Sequence, residues 1–206
     1  MKTFEWEWKS FDGLGMYSKG WAPEKDPKAV ICLIHGLGEH IQRYEHVGAA
    51  FADAGYAMLG FDLRGHGKSG GQRGHAPSID AFLNDIEGFV REVKKRYPSA
   101  PRFIYGHSLG GLLTFAYSLN RKVDAQGLIV SSPGLRTALH EQKAKVMLAK
   151  VLGSLVPAIT LASGLNPEHI SRDSQVVQAY VNDPLVHDKM TLGFGRAALQ
   201  LTANIF

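Results

Sequence analysis

A chain of 206 residues, 45% hydrophobic and 20% charged, is long enough for one domain with a substantial core and cramped for two. Its formal charge of +4, from 23 basic and 19 acidic residues, is too mild an excess to demand a polyanion, so no nucleic-acid partner is expected. A single cysteine, Cys32, excludes an internal disulfide, and its place in the apolar run 29–34 reads as a buried thiol.

The N-terminus, Met1-Lys-Thr-Phe-Glu-Trp-Glu-Trp-Lys, lacks the continuous apolar core of a signal peptide. The longest apolar region, Val146 to Leu165, is interrupted by Lys150, Gly153 and Pro157 and makes a poor membrane span. A cytoplasmic protein is therefore the expectation. Phe4 to Lys9 alternates with the period of a half-exposed strand, and Gly15 to Trp21, after the turn Asp12-Gly13, reads as its hairpin partner. Short apolar runs follow at Val30 to Ile34, Tyr56 to Phe61, Phe103 to Tyr105 and Leu128 to Val130, the pattern of parallel strands buried on both faces. Between them the spacing predicts helices over Tyr44 to Ala54, Ile79 to Tyr97 and Leu109 to Leu119. The second has Ser78 as N-cap, Asp80 in its first turn and Pro98 beyond its end.

Alternation of strand and helix through residue 131 predicts an α/β class, with a mostly parallel sheet and an antiparallel N-terminal edge, over a core of residues 1–134. From 135 to 188 the alternation gives way to helix formers, notably Leu139 to Val156, which reads as a helical lid insertion. Residues 189–206 read as the start of a further core segment, with Thr191 to Phe206 a helix leading toward another strand.

Gly106-His107-Ser108-Leu109-Gly110 fits G-x-S-x-G and lies between a strand and a helix, where the turn is so sharp that the flanking glycine positions must lack side chains. In that context Ser108 is a candidate nucleophile. Oxyanion donors follow from the same turn: the backbone N–H of Leu109, and that of Leu37 in the Gly36-Leu37-Gly38 loop after the strand ending at His35. His35 reads as a brace of that loop, not as a base. Gly65-His-Gly67-Lys-Ser-Gly70 formally matches a dinucleotide fingerprint, but loop residues continue where a helix must start, so no cofactor is expected. Glu39, His40, Glu45 and His46 lack metal-ligand spacing and read as surface caps and loop hydrogen bonds, with no metal. Asp62 and Arg64 read as a buried ion pair bracing the loop.

These residues resemble the monoacylglycerol lipase and lysophospholipase-like branch of the α/β-hydrolases, of the serine aminopeptidase S33 type. The likeness runs through Phe11-Asp-Gly-Leu14, His35-Gly-Leu-Gly-Glu-His40 with Arg43-Tyr44, Phe61-Asp-Leu-Arg-Gly-His-Gly-Lys-Ser69, Gly106 to Gly111 and Asn182-Asp-Pro-Leu-Val-His187. It implies an α/β-hydrolase fold and a serine carboxylester hydrolase of monoacylglycerols, lysophospholipids or similar single-chain esters. By the same likeness Ser108 is nucleophile, Leu37 and Leu109 form the oxyanion hole, and 182–187 marks the exit from a lid over an acyl channel. Val146, Met147, Leu148, Val151, Leu152, Leu155 and Val156 approximate one helical face, and Arg136, Lys143, Lys145 and Lys150 outnumber Glu141. Such a helix suits transient contact with an anionic membrane surface, and equally suits packing over the core.

In this fold the nucleophile is followed by an acid and then a histidine at the ends of later strands. His140, His169 and His187, like Asp173, Asp183 and Asp188, fall in or beside the lid, so the triad acid and histidine are expected to be absent from this chain. At about 30 residues per strand-and-helix unit they would lie roughly 60 or more residues past Phe206. The C-terminal strands of the fold are then missing, and a C-terminal fragment or second chain would complete it. The alternative is a non-catalytic lipid or small-ligand binding module on the same fold.

Overall fold

Two residue periods shape the first half of the chain. In the computed structural model, which describes residues 1–135 and 151–205, the period-two segment forms β1 (Lys2–Lys9), and it pairs antiparallel with β2 (Gly15–Ala22) through the turn at Gly13. Phe4, Trp6 and Trp8 turn one face of β1 inward onto Phe61 and Phe89, while Glu5 and Glu7 stay exposed. The uniformly apolar runs form β3 (Val30–Ile34) and β4 (Ala57–Phe61), every residue of which is buried. With β5 (Arg102–His107) and β6 (Gly127–Ser131) they complete one six-stranded sheet of order β1-β2-β4-β3-β5-β6. Pairing is antiparallel from β1 to β4 and parallel among β4, β3, β5 and β6. The expected mostly parallel sheet with an antiparallel edge is what the chain builds.

Helices fill the crossovers. A 3-10 turn (Ile41–Tyr44) leads into α1 (Glu45–Asp53), shorter at its start than the periodicity implied. α2 (Ile79–Arg96) starts at Ser78, whose hydroxyl accepts from Ala81 N–H at 3.1 Å, and its buried stripe from Ala81 to Val93 covers the sheet. α3 (Leu109–Asn120) follows β5 without a loop.

β6 departs from expectation. Leu128 is 37% and Ile129 41% exposed, although the segment reads as a strand buried on both faces. The reason is position: β6 pairs only with β5, and its outer edge has no strand neighbour among the described residues. The helical run anticipated from Leu139 falls outside the described residues up to 150, and 151–155 are helical. Beyond them the segment is not all helix. β7 (Thr160–Ala162) pairs antiparallel with β8 (Lys189–Thr191) in a small second sheet, with a 3-10 turn (Pro167–His169) and α4 (Ser174–Val181) between. α5 (Leu192–Ile205) then returns to the core, burying Phe194 against Phe82.

The loops leaving β3 and β4 are stitched by buried polar groups. His35, fully buried, donates through Nδ1 to Gly36 O at 2.7 Å and accepts Leu63 N–H at Nε2 at 2.9 Å, so both nitrogens are committed and the ring is neutral. Asp62 and Arg64 brace the loop, but not through each other as the sequence implied. Asp62 accepts Ile41 N–H at 2.8 Å and Lys68 N–H at 2.7 Å, while Arg64 reaches Asp85 on α2 at 2.6 and 2.8 Å and Asp12 at 3.0 Å. Both residues lie past the end of β4, in the loop, where backbone donors claim Asp62 and a helix carboxylate claims Arg64. Ser10 closes the network on Asp85.

Replacing Asp85 by alanine strands a guanidinium that is 4% exposed, so Asp85→Ala is expected to cost about 3–5 kcal/mol in urea unfolding, against under about 1 kcal/mol for Glu87→Ala, which breaks only a partly exposed pair with Arg91. A second expectation concerns pH. Burial, followed by the neighbouring imidazole His187, pushes His66 down to about 3; burial likewise depresses His35 and His187. The unfolded chain therefore takes up protons first. Stability is complete above about pH 6.5 and is lost as pH falls below it, by about 1.4 kcal/mol per unit for each of the fully buried His35 and His66. Urea midpoints that stay constant between about pH 6.5 and 5 would contradict this.

Candidate active site

Ser108 joins β5 to α3 with φ 53° and ψ −115°, a left-handed conformation that costs an L-residue about 1–3 kcal/mol. Three peptide hydrogen bonds hold it there: Ser108 N–H donates to Ser131 O at 3.0 Å, and Ser108 O accepts Leu112 N–H at 3.1 Å and Gly134 N–H at 3.2 Å. The flanking glycines are sterically required. A Cβ on Gly106 would stand 2.3 Å from Thr114 Oγ1 and 2.4 Å from Gly110 O, and one on Gly110 would stand 2.0 Å from Ile34 O. G-x-S-x-G is thus the local solution to packing a helix start against β3 while lifting the serine out of the sheet.

The loop after β3 meets this turn. A Cβ on Gly36 would lie 3.2 Å from Ser108 Cβ. The loop is fixed by Glu39, whose Oε1 accepts Gly36 N–H at 2.6 Å and Tyr44 O–H at 2.7 Å. Leu37 N–H and Leu109 N–H have no hydrogen-bond partner among the described residues, and Leu109 is the first residue of α3, where the helix leaves its amides unpaired. A half-buried hydroxyl, an adjoining glycine loop and unpaired backbone donors therefore converge at the C-terminal ends of β3 and β5.

Among the described residues no imidazole or carboxylate hydrogen-bonds to the Ser108 hydroxyl. His107 is tied to Ser131 Oγ at 2.7 Å, His169 lies in the 3-10 turn, and Asp173 caps α4 through Gln175 N–H. His140 lies outside the described residues. His40 corrects the surface reading of its cluster: it is 3% exposed and meets Asp183 Oδ2 at 2.7 Å, whereas Glu45 and His46 are exposed as expected. Asp183 and His187 are the residues whose part at this end of the sheet sequence reasoning missed. Both lie within the Asn182 to His187 run, but nothing in its spacing says that it docks on the loop after β3. No group of three His, Cys, Asp or Glu among the described residues is placed to hold a metal, and no described helix is long and apolar enough to cross a membrane.

Comparison with known proteins places this geometry. The chain is 42% identical over 186 residues to an uncharacterised abhydrolase-domain protein of Dictyostelium discoideum, covering 90% of this chain and 20% of that protein. It is 37% identical over 196 residues to the monoacylglycerol lipase of Mycolicibacterium smegmatis, covering 93% of this chain and 70% of that one. The crystal structure of Paleococcus ferrophilus monoacylglycerol lipase superposes with a TM-score of 0.81 at 34% identity, over 92% of this chain and 70% of its own. The chain thus spans a fifth of one of these relatives and about two thirds of the other two. With the family profile of serine aminopeptidase S33 matching residues 25–206, the chain belongs to that family and carries its α/β-hydrolase fold.

Proposed function

We propose that Ser108 is the nucleophile of a serine carboxylester hydrolase acting on monoacylglycerols, lysophospholipids or similar single-chain esters. The observation that carries this reading is the strained backbone of Ser108, held between two sterically obligatory glycines at the start of a helix. Such strain persists where surrounding structure over-determines it, and it serves here to project the hydroxyl away from the sheet.

In the proposed reaction Ser108 Oγ bonds to the ester carbonyl carbon and its proton passes to a general base. The carbonyl oxygen becomes an oxyanion accepting hydrogen bonds from Leu37 N–H and Leu109 N–H, the alcohol leaves with the proton, and water then releases the acid from the acyl-serine. Base and acid are assigned to polypeptide that pairs with the outer edge of β6, because that apolar strand lacks a neighbour among the described residues and later strands supply these groups in this fold. Residues 135–188 act as the lid. Exposed Leu155, Leu161, Leu165 and Val181, 53–73% accessible, support its contact with a lipid surface. The names of the relatives, monoacylglycerol lipases from two organisms, support the substrate class.

With base and acid supplied on a longer form of the chain or a second chain, a fluorophosphonate probe is expected to label Ser108. Ser108→Ala should lose labelling and at least about a thousandfold of esterase activity on a monoacylglycerol. Retained esterase activity in Ser108→Ala would overturn the assignment, and stoichiometric lipid retention without hydrolysis would favour a binding module. The 206-residue chain assayed alone should fall several orders of magnitude below that completed form. Comparable turnover by the two would refute the assignment of the base to the edge of β6.

A further inference from the structure

Residues 182–191 return across the ends of β3 and β4 and bind the loops that leave both. His40 Nε2 meets Asp183 Oδ2 at 2.7 Å, across 143 residues of sequence. Partial burial pushes the Asp183 carboxyl up, but hydrogen bonds from His40 and from Leu185 N–H outweigh it and hold the group below the usual carboxylate range. Four residues on, His187 N–H donates to Gly38 O at 2.9 Å, and its ring links Gly65 O, at 3.0 Å from Nε2, to Lys189 N–H, at 3.2 Å from Nδ1. The contact is backbone against backbone: Gly38 sits at φ +74°, and a Cβ there would lie 2.3 Å from His187 O.

These bonds bracket one peptide. Gly36 N–H is held by Glu39, Gly38 O by His187, the His40 ring by Asp183 and Ile41 N–H by Asp62, while Leu37 N–H between them has no partner among the described residues. A turn with glycine at 36 and 38 has little intrinsic preference for one orientation. An oxyanion donor, however, must be aimed before the charge develops, and misplacement of about 1 Å costs about a hundredfold in rate.

We propose that Asp183 and His187 are positioning residues of the hydrolytic site, clamping the 36–40 turn from outside and so fixing the direction of Leu37 N–H. The inference rests on the assignment of Leu37 as an oxyanion donor under the proposed function. It gives the Asn182 to His187 run a task beyond marking the end of an insertion: the segment leaving 135–188 is bonded directly to the loop that faces the nucleophile.

Amide hydrogen exchange in the 206-residue chain tests the clamp without turnover. Asp183→Ala is expected to raise exchange at the hydrogen-bonded amides of Gly36 and His187 by at least about tenfold while the core amides of Ile104 and Leu113 keep their protection. Asp183→Asn, whose amide oxygen still accepts from His40, should return the loop to within about threefold of the parent. Exchange at the Gly36 and His187 amides that stays within about twofold of the parent in Asp183→Ala would overturn the clamp. If Asp183→Ala opens the core amides as well, His40→Leu, which has no donor, removes the same pair from its other side and is judged by the same criterion. The esterase assay separates the two assignments. Faster loop exchange with a fall in kcat and an unchanged KM supports both. Faster exchange with kcat unchanged keeps the clamp and overturns Leu37 as donor, and unchanged exchange overturns the clamp whatever the assay gives.

Discussion

The backbone of Ser108, fixed at φ 53° by hydrogen bonds from three sides, is the constraint around which the rest of the site is arranged. It requires α3 to begin against β3 with no loop between β5 and the helix, and that approach leaves 2.0 Å between Ile34 O and a Cβ at Gly110. It also requires β6, because Ser131 O is the acceptor that holds Ser108 N–H. One residue in an unfavourable conformation thereby ties together three neighbouring strands and a helix, and the apolar packing of those elements outweighs the local cost of about 1–3 kcal/mol.

A second layer of order comes from buried polar groups that are committed to backbone. His35 joins the loop after β3 to the loop after β4, Asp62 collects amides from both, and Arg64 anchors the second loop to α2 through Asp85. Each bond runs between groups that local sequence leaves unpaired, so the loops at this end of the sheet are as determined as the strands. Removing one partner leaves the other buried without water, which is why such networks specify a single arrangement more strongly than they stabilise it.

The sheet was legible because its two periods are unambiguous: alternation in β1, and unbroken apolar runs in β3 and β4. Ser108 was legible because the steric demands on Gly106 and Gly110 are local, reaching only a strand end and the next helix turn. What escaped were partners chosen across long separations. Nothing near Arg64 names Asp85 in preference to Asp62, and nothing near His40 names Asp183. The short strands β7 and β8 escaped for a related reason: three residues each carry too little pattern, and their pairing is fixed by the docking of Lys189 O and Thr191 N–H on Gly74. β6 read as buried because Leu-Ile-Val is the composition of a central strand, and sequence alone does not reveal which strand is left at an edge.

That edge is coupled to the nucleophile. β6 presents Ser131 O to Ser108 N–H and Ser131 Oγ to His107 Nδ1, so the strand that carries exposed Leu128 and Ile129 is also the strand that holds the strained turn. A parallel strand along that edge would cover apolar surface, satisfy the peptide groups of β6 that have no strand partner among the described residues, and stiffen the acceptor on which Ser108 depends. Under the proposed function, pairing along that edge and preorganisation of the serine would be a single event, a physical reason for a hydrolase of this fold to place its later catalytic groups just beyond the strand that secures its nucleophile.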